Sequence, residues 1–172
     1  ADWYVWADPN PDGTPPNNWP SVFGGPAWEW EPQRRQYYLH NFLIEQPDLN
    51  LWNREVQDAL LGTMRFWLER GVDGFRLDTV NFYFHDARLR DNPPNPDHKG
   101  PETYGFQRHV HSKNQPENIA FLERFAALLR QYGAAVIGEI GDSERSLELL
   151  EEYTGVAGRM QMSYVFDFLS GN

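Results

Sequence analysis

Helical and strand-like hydrophobic patterns alternate along the chain beyond its first fifty residues. Val56, Leu60, Thr63, Met64 and Trp67 recur at helical spacing, Asn53 suits an N-terminal cap and Gly71 a C-terminal stop, so the spacing predicts a helix over 53–70. Residues 72–78 follow, short and bounded by Gly71, and read as a buried strand. The pattern then repeats. Leu122, Phe125, Ala126 and Leu129 predict a second helix starting near Pro116 and ending at Gly133, and 134–139 form the next apolar strand. A third helix is expected from Ser143 to Gly155, and 160–168 alternate as a third strand. Strands alternating with amphipathic helices imply an α/β fold with crossover units on a parallel sheet.

Residues 1 to about 47 follow neither period. They hold eight of the 13 prolines and five of the 7 tryptophans, with turns such as Pro11-Asp12-Gly13 and Gly24-Gly25, so irregular or short-strand structure is expected there. The boundary with the α/β part is placed between 47 and 48. Ala1 is not a methionine and leads straight into Asp2-Trp3-Tyr4-Val5-Trp6, so the chain reads as an internal segment of a longer protein.

Composition narrows the function classes. With 172 residues, 40% of them hydrophobic, and a mean hydropathy of −0.69, a soluble globular segment is expected, without a membrane span or a signal peptide. The formal charge of −10 repels phosphate backbones, so nucleic acid is not an expected partner. With no cysteine, disulfides and thiolate chemistry are excluded, and a reducing, cytoplasmic setting fits. No cofactor is indicated, and the oligomeric state is left open.

Candidate chemistry lies at the carboxyl ends of the predicted strands, which carry Asp78, Glu139 and Asp167. That is the edge where open α/β sheets and barrels build their sites. Arg76 and Asp78, two apart on one strand, share a face opposite Phe75 and Leu77. Glu139 lies at the matching end of the next strand, near enough for two carboxylates to flank one bond, although on this pattern alone two acids facing water is the better reading. A long segment follows Asp78, including Asn92-Pro93-Pro94-Asn95-Pro96, and so long a loop is functional or disordered. His109 and His111 stand two apart but lack an acidic or cysteine cluster around them, so no metal site is assigned. Glu148, Glu151 and Glu152 are expected to form a solvated face.

Three stretches in order, Gln46-Pro47-Asp48-Leu49-Asn50, Gly74-Phe75-Arg76-Leu77-Asp78-Thr79-Val80-Asn81-Phe82 and Gly138-Glu139, resemble conserved stretches of the α-amylase superfamily, glycoside hydrolase family 13. The likeness is strongest to its bacterial α-glucosidases and oligo-1,6-glucosidases. It implies part of a (β/α)₈ barrel, about strands four to six, with residues 1–47 belonging to a small domain inserted after the third strand. It also implies Asp78 as nucleophile, Glu139 as general acid/base and Arg76 as the arginine that holds the nucleophile. In such glucosidases the residue after the nucleophile resembles a linkage selector, valine accompanying α-1,6 activity and threonine or alanine α-1,4 activity, so Thr79 points to α-1,4 bonds. Phe23 and Phe42 are similar to pocket-wall aromatics, although ordinary packing explains them nearly as well.

The implied substrate is a short oligosaccharide such as maltose, or a related α-glucoside such as sucrose, cleaved with retention by the full-length protein. The same first step would serve transglycosylation, sucrose isomerisation or α-1,6 cleavage. From another class, a catalytically silent, transporter-associated relative would be expected to have lost these carboxylates. A sugar-binding module is a third possibility. The isolated segment is expected neither to close a barrel of about 250 residues nor to turn over substrate.

Overall fold

A computed structural model describes residues 2–166, and two compact units emerge: residues up to Asn53 with His85–Lys113, and Arg54–Phe84 with the residues from Asn114 onward. In the first, β1 (Trp6–Ala7), β2 (Trp28–Glu31) and β3 (Gln36–Leu39) form an antiparallel sheet in the order β1-β3-β2. The core of this unit is Val5, Trp19, Ala27, Trp28 and Leu39. Trp19 and Trp28 stack with centroids 6.1 Å apart, and both indole N–H groups are satisfied, by the carbonyl of Arg90 at 2.9 Å and by Asn17 Oδ1 at 2.8 Å. Burying large aromatics in so small a core is favourable only because these polar tips find partners.

The proline- and asparagine-rich segment that follows Phe84 gains order from side chains rather than from a backbone period. Asn18 donates to the carbonyl of Asn92 at 3.0 Å and accepts the Asn92 N–H at 2.9 Å. Asp86 accepts from Arg90 Nε at 2.8 Å and Nη2 at 3.1 Å. A single 3-10 turn at Thr103–Phe106 is the regular element within it among the described residues.

The second unit contains α1 (Arg54–Leu68), β4 (Gly74–Leu77), α2 (Glu117–Tyr132), β5 (Ala135–Ile140), α3 (Ser146–Thr154) and β6 (Met162–Val165). Its sheet is parallel, in the order β4-β5-β6, and it is open among the described residues. Gly133 ends α2 in the left-handed region, φ 64°, and its N–H reaches the carbonyls of Arg130 and Leu129. One face of the sheet, with Leu77, Val136, Ile140 and Val165, is buried with Leu122, Phe125, Leu129, Leu149 and Tyr153 from the helices. Gly138 leaves room for Met160 on that face, where a Cβ would lie 2.7 Å from Met160 Cε. The other face carries Arg76, Ile137, Glu139, Met162 and Tyr164.

Three of the boundaries that differ from the sequence expectation have a visible cause or bear on the site. The third helix begins at Ser146 instead of Ser143, because Asp142 Oδ1 first accepts the N–H groups of Glu144 at 2.9 Å and Arg145 at 2.6 Å, forming a turn that delays the helix. The third strand begins at Met162, since Met160 is buried and donates its N–H to Tyr153 at 3.1 Å. Strand β4 ends at Leu77, so Asp78 starts a turn instead of closing the strand. Asp167 and the end of the third predicted strand lie outside the described residues.

Candidate active site

Parallel register sets the site. Leu77 pairs with Gly138, so Asp78 comes level with Glu139, and Glu139 pairs with Tyr164. Because side chains alternate along a strand, Arg76 lies on this same face, one step back. Each strand thus contributes a polar group at its carboxyl end, after an apolar run that has already filled the helix-packed face.

The side chains converge. Arg76 Nη1 lies 2.6 Å from Asp78 Oδ1, and Arg76 Nη2 forms an ion pair with Glu139 Oε2. Tyr164 donates its hydroxyl to the same Oε2, while Arg76 Nε donates to the Tyr164 oxygen at 3.0 Å. One guanidinium therefore serves two carboxylates and a phenol, which its fixed fork of donors allows. The two acids differ in exposure: the Glu139 side chain is 10% exposed and that of Asp78 71%. The hydrogen bonds to Tyr164 and Asp78, the former foremost, hold the Arg76 proton more firmly than usual. The bond to the Glu139 carboxylate likewise raises the Tyr164 phenol above its ordinary value.

The backbone behind the acids is braced. Thr79, directly after Asp78, adopts the left-handed region at φ 38°, ψ 51°, a strained choice for a β-branched residue. The 3-10 turn Val80–Phe82 then buries Asn81. Asn81 Nδ2 donates to the carbonyl of Gly141 at 3.2 Å and to Asn114 Oδ1 at 2.8 Å, and its Oδ1 accepts the Gly141 N–H at 2.9 Å. The turn after Asp78 is thereby tied to the turn after Glu139. Asn114 extends the network to Asp142 Oδ2 at 2.7 Å.

Of the six residues singled out from sequence, Arg76, Asp78 and Glu139 meet directly, and Thr79 adjoins Asp78. Phe23 and Phe42 form their own pair in the first unit, centroids 5.8 Å apart, with Phe23 66% exposed. That pair is set by hydrogen bonds: Ser21 Oγ donates to the Phe42 carbonyl at 2.6 Å, and the Val22 N–H to the carbonyl of Asn41 at 2.8 Å. Asp48, in the Gln46–Asn50 stretch, accepts from Asn41 N at 3.1 Å and Asn41 Nδ2 at 2.5 Å, and burial pushes its carboxyl up to about 7. His109 has both ring nitrogens engaged, with Ser112 Oγ at 3.1 Å and the Tyr104 carbonyl at 2.8 Å. Glu148 lies on an exposed face and pairs with Arg145 at 2.9 Å.

Sequence reasoning missed Tyr164 and the bracing role of Asn81. Tyr164 sits in an alternating strand near the expected Asp167, and its parity relative to Glu139 was the available signal. Asn81 is buried directly after the acidic turn, where a lone amide has no local partner.

Comparison with known proteins shows the family. Residues 1–172 match the α-amylase catalytic domain. The chain belongs to the α-amylase family of glycoside hydrolases, and its open parallel sheet is part of that family's barrel. It is 59% identical over 178 residues to a probable α-glucosidase of Rhizobium meliloti strain 1021, covering 99% of this chain and 32% of that protein. It is 38% identical to an oligo-1,6-glucosidase of Heyndrickxia coagulans, covering 97% of this chain and 29% of that one. Among solved structures, the α-glucosyl transfer enzyme XgtA matches with a TM-score of 0.94 at 58% identity, over 98% of this chain and 32% of XgtA. The chain thus spans about a third of the length of these relatives. Among the described residues, no helix is long and apolar enough to cross a membrane.

Proposed function

We propose that the protein to which this segment belongs is a retaining α-glucosidase that releases terminal α-1,4-linked glucose from short oligosaccharides such as maltose, with sucrose as a further substrate. The observation that carries this reading is the convergence of Asp78 and Glu139 on one guanidinium. Asp78 is the nucleophile: its carboxylate bonds to the anomeric carbon as the glycosidic bond breaks, and the departing oxygen takes a proton from Glu139. Water then attacks the anomeric carbon, gives its proton to Glu139 and frees Asp78. Arg76 holds the nucleophile, Thr79 selects the linkage, and Phe23 and Phe42 offer an aromatic face to the sugar. No resident metal or cofactor is needed for this sequence of steps. Residues 1–47 belong, on this reading, to the inserted domain and 48–172 to the barrel.

In the intact protein, Asp78→Asn is expected to abolish maltose turnover with the fold retained, judged by circular dichroism. A substrate-derived glycosyl adduct should appear by mass spectrometry on the Asp78 peptide of the active enzyme. Full turnover by Asp78→Asn rejects the assignment.

A second reading is glucosyl transfer to a sugar or alcohol acceptor, favoured by the similarity to an α-glucosyl transfer enzyme and to trehalulose synthase MutB, the latter at 34% identity and a TM-score of 0.81. It shares the first step and differs in what attacks the intermediate. The ratio of transfer products to free glucose at rising maltose concentration separates the two.

A further inference from the structure

Glu139 and Tyr164 are register partners on neighbouring strands, with both side chains on the polar face. We propose that Tyr164 is a positioning residue for the Glu139 carboxyl group, holding Oε2 so that Oε1 is the oxygen presented to the leaving group. This rests on the reading of Glu139 as acid/base and extends it to a residue outside the motifs that suggested it.

Three features of the geometry support the assignment. Both contacts to Glu139, from Arg76 and from Tyr164, fall on Oε2. Arg76 Nε donates to the phenol oxygen, so the tyrosine's own proton is directed to the carboxylate. The tyrosine is itself fixed: its strand is laddered to β5, Ser163 Oγ donates to the Gly138 carbonyl at 2.8 Å, and Phe166 meets the Tyr164 ring edge-on at 5.9 Å. Arg76 alone makes a poorer anchor because the same guanidinium is also committed to Asp78.

The chemical consequence follows from where charge develops. When Oε1 gives up its proton to the leaving oxygen, the negative charge left on the carboxyl group spreads to Oε2, where two donors already point. Donors placed in advance stabilise that charge without reorganisation. Removing the hydroxyl should therefore affect bonds whose cleavage needs a proton and spare those that do not.

The test compares wild type, Tyr164→Phe and Glu139→Gln in the full-length protein, with maltose and with α-glucosyl fluoride, whose fluoride departs without protonation. For Tyr164→Phe, kcat/KM on maltose should fall about tenfold to a hundredfold, part of what a general acid supplies. Glucosyl fluoride should change less than about threefold, and the alkaline limb of the maltose pH profile should move to higher pH, since the ionised carboxylate has lost a donor. An equal loss on both substrates, or no loss on maltose, overturns the proposal. Should Tyr164→Phe not fold, a fluorotyrosine at 164 keeps the shape and donates more strongly, so the alkaline limb should move to lower pH; an unmoved limb overturns the proposal. Glu139→Gln must lose maltose turnover while keeping the first step with glucosyl fluoride. If it keeps maltose turnover, the acid/base reading itself fails, an outcome distinct from the Tyr164 result.

Discussion

Arg76 and Asp78 stand two residues apart and meet at 2.6 Å, yet the same guanidinium also pairs with Glu139, 63 positions further along the chain. The arginine is therefore a bridge between the two acids. A lysine carries the same charge on a single ammonium and cannot span both with a rigid fork. Arg76→Lys is expected to lower kcat on maltose by about a hundredfold with a smaller change in KM, as for loss of an interaction that matters in the transition state. Steady-state kinetics on the intact protein checks it, and an unchanged kcat would restrict Arg76 to a structural ion pair.

Asn81 joins the turns that follow the two acids, with three hydrogen bonds in a fully buried setting. Asn81→Ala removes three hydrogen bonds, each with a net contribution of about 1 kcal/mol. Thermal and urea denaturation should show destabilisation, and kcat should drop with it because the acids lose their common brace. A variant as stable as wild type would mean that water or neighbouring groups replace the amide.

Thr79 occupies a left-handed conformation that valine, also β-branched, would find equally unfavourable. Thr79→Val should therefore leave stability within about 1 kcal/mol while exchanging a hydroxyl for a methyl beside Asp78, the proposed nucleophile. The ratio of isomaltose to maltose kcat/KM should rise. An unchanged ratio removes Thr79 from the linkage choice.

Half-buried Asp48 and buried His85, both in the first unit, give opposite pH dependences. Burial raises the Asp48 carboxyl from 3.8 to about 7, so the folded state binds the extra proton and this contribution to stability declines as pH rises between those values. Burial lowers His85 from 6.5 to about 4, so its contribution is present above 6.5 and is lost as pH falls towards 4. In wild type the slopes oppose each other. Asp48→Asn should uncover a rise in stability from pH 4 to 6.5, and His85→Gln a fall from pH 4 to 7, read from urea unfolding across that range. Parallel profiles for all three proteins would mean that neither group shifts on folding.

The sequence by itself determined the local order of elements and the positions of the acids. Apolar spacing located α1 and α2, Gly133 fixed the end of α2 because its left-handed backbone suits glycine, and polar residues after apolar runs marked Asp78 and Glu139. The resemblance of three short stretches pointed to the family that the comparison then established. It did not reveal that Asp142 would delay α3, since capping competition depends on which N–H groups a short side chain reaches. Only the tertiary structure decided that Arg76 serves both acids, that Tyr164 is the neighbour of Glu139 and that Asn81 closes a link to Gly141. Those relations depend on strand register across separations of 63, 25 and 60 residues, and register is set by packing of the whole sheet against its helices, which no local pattern encodes.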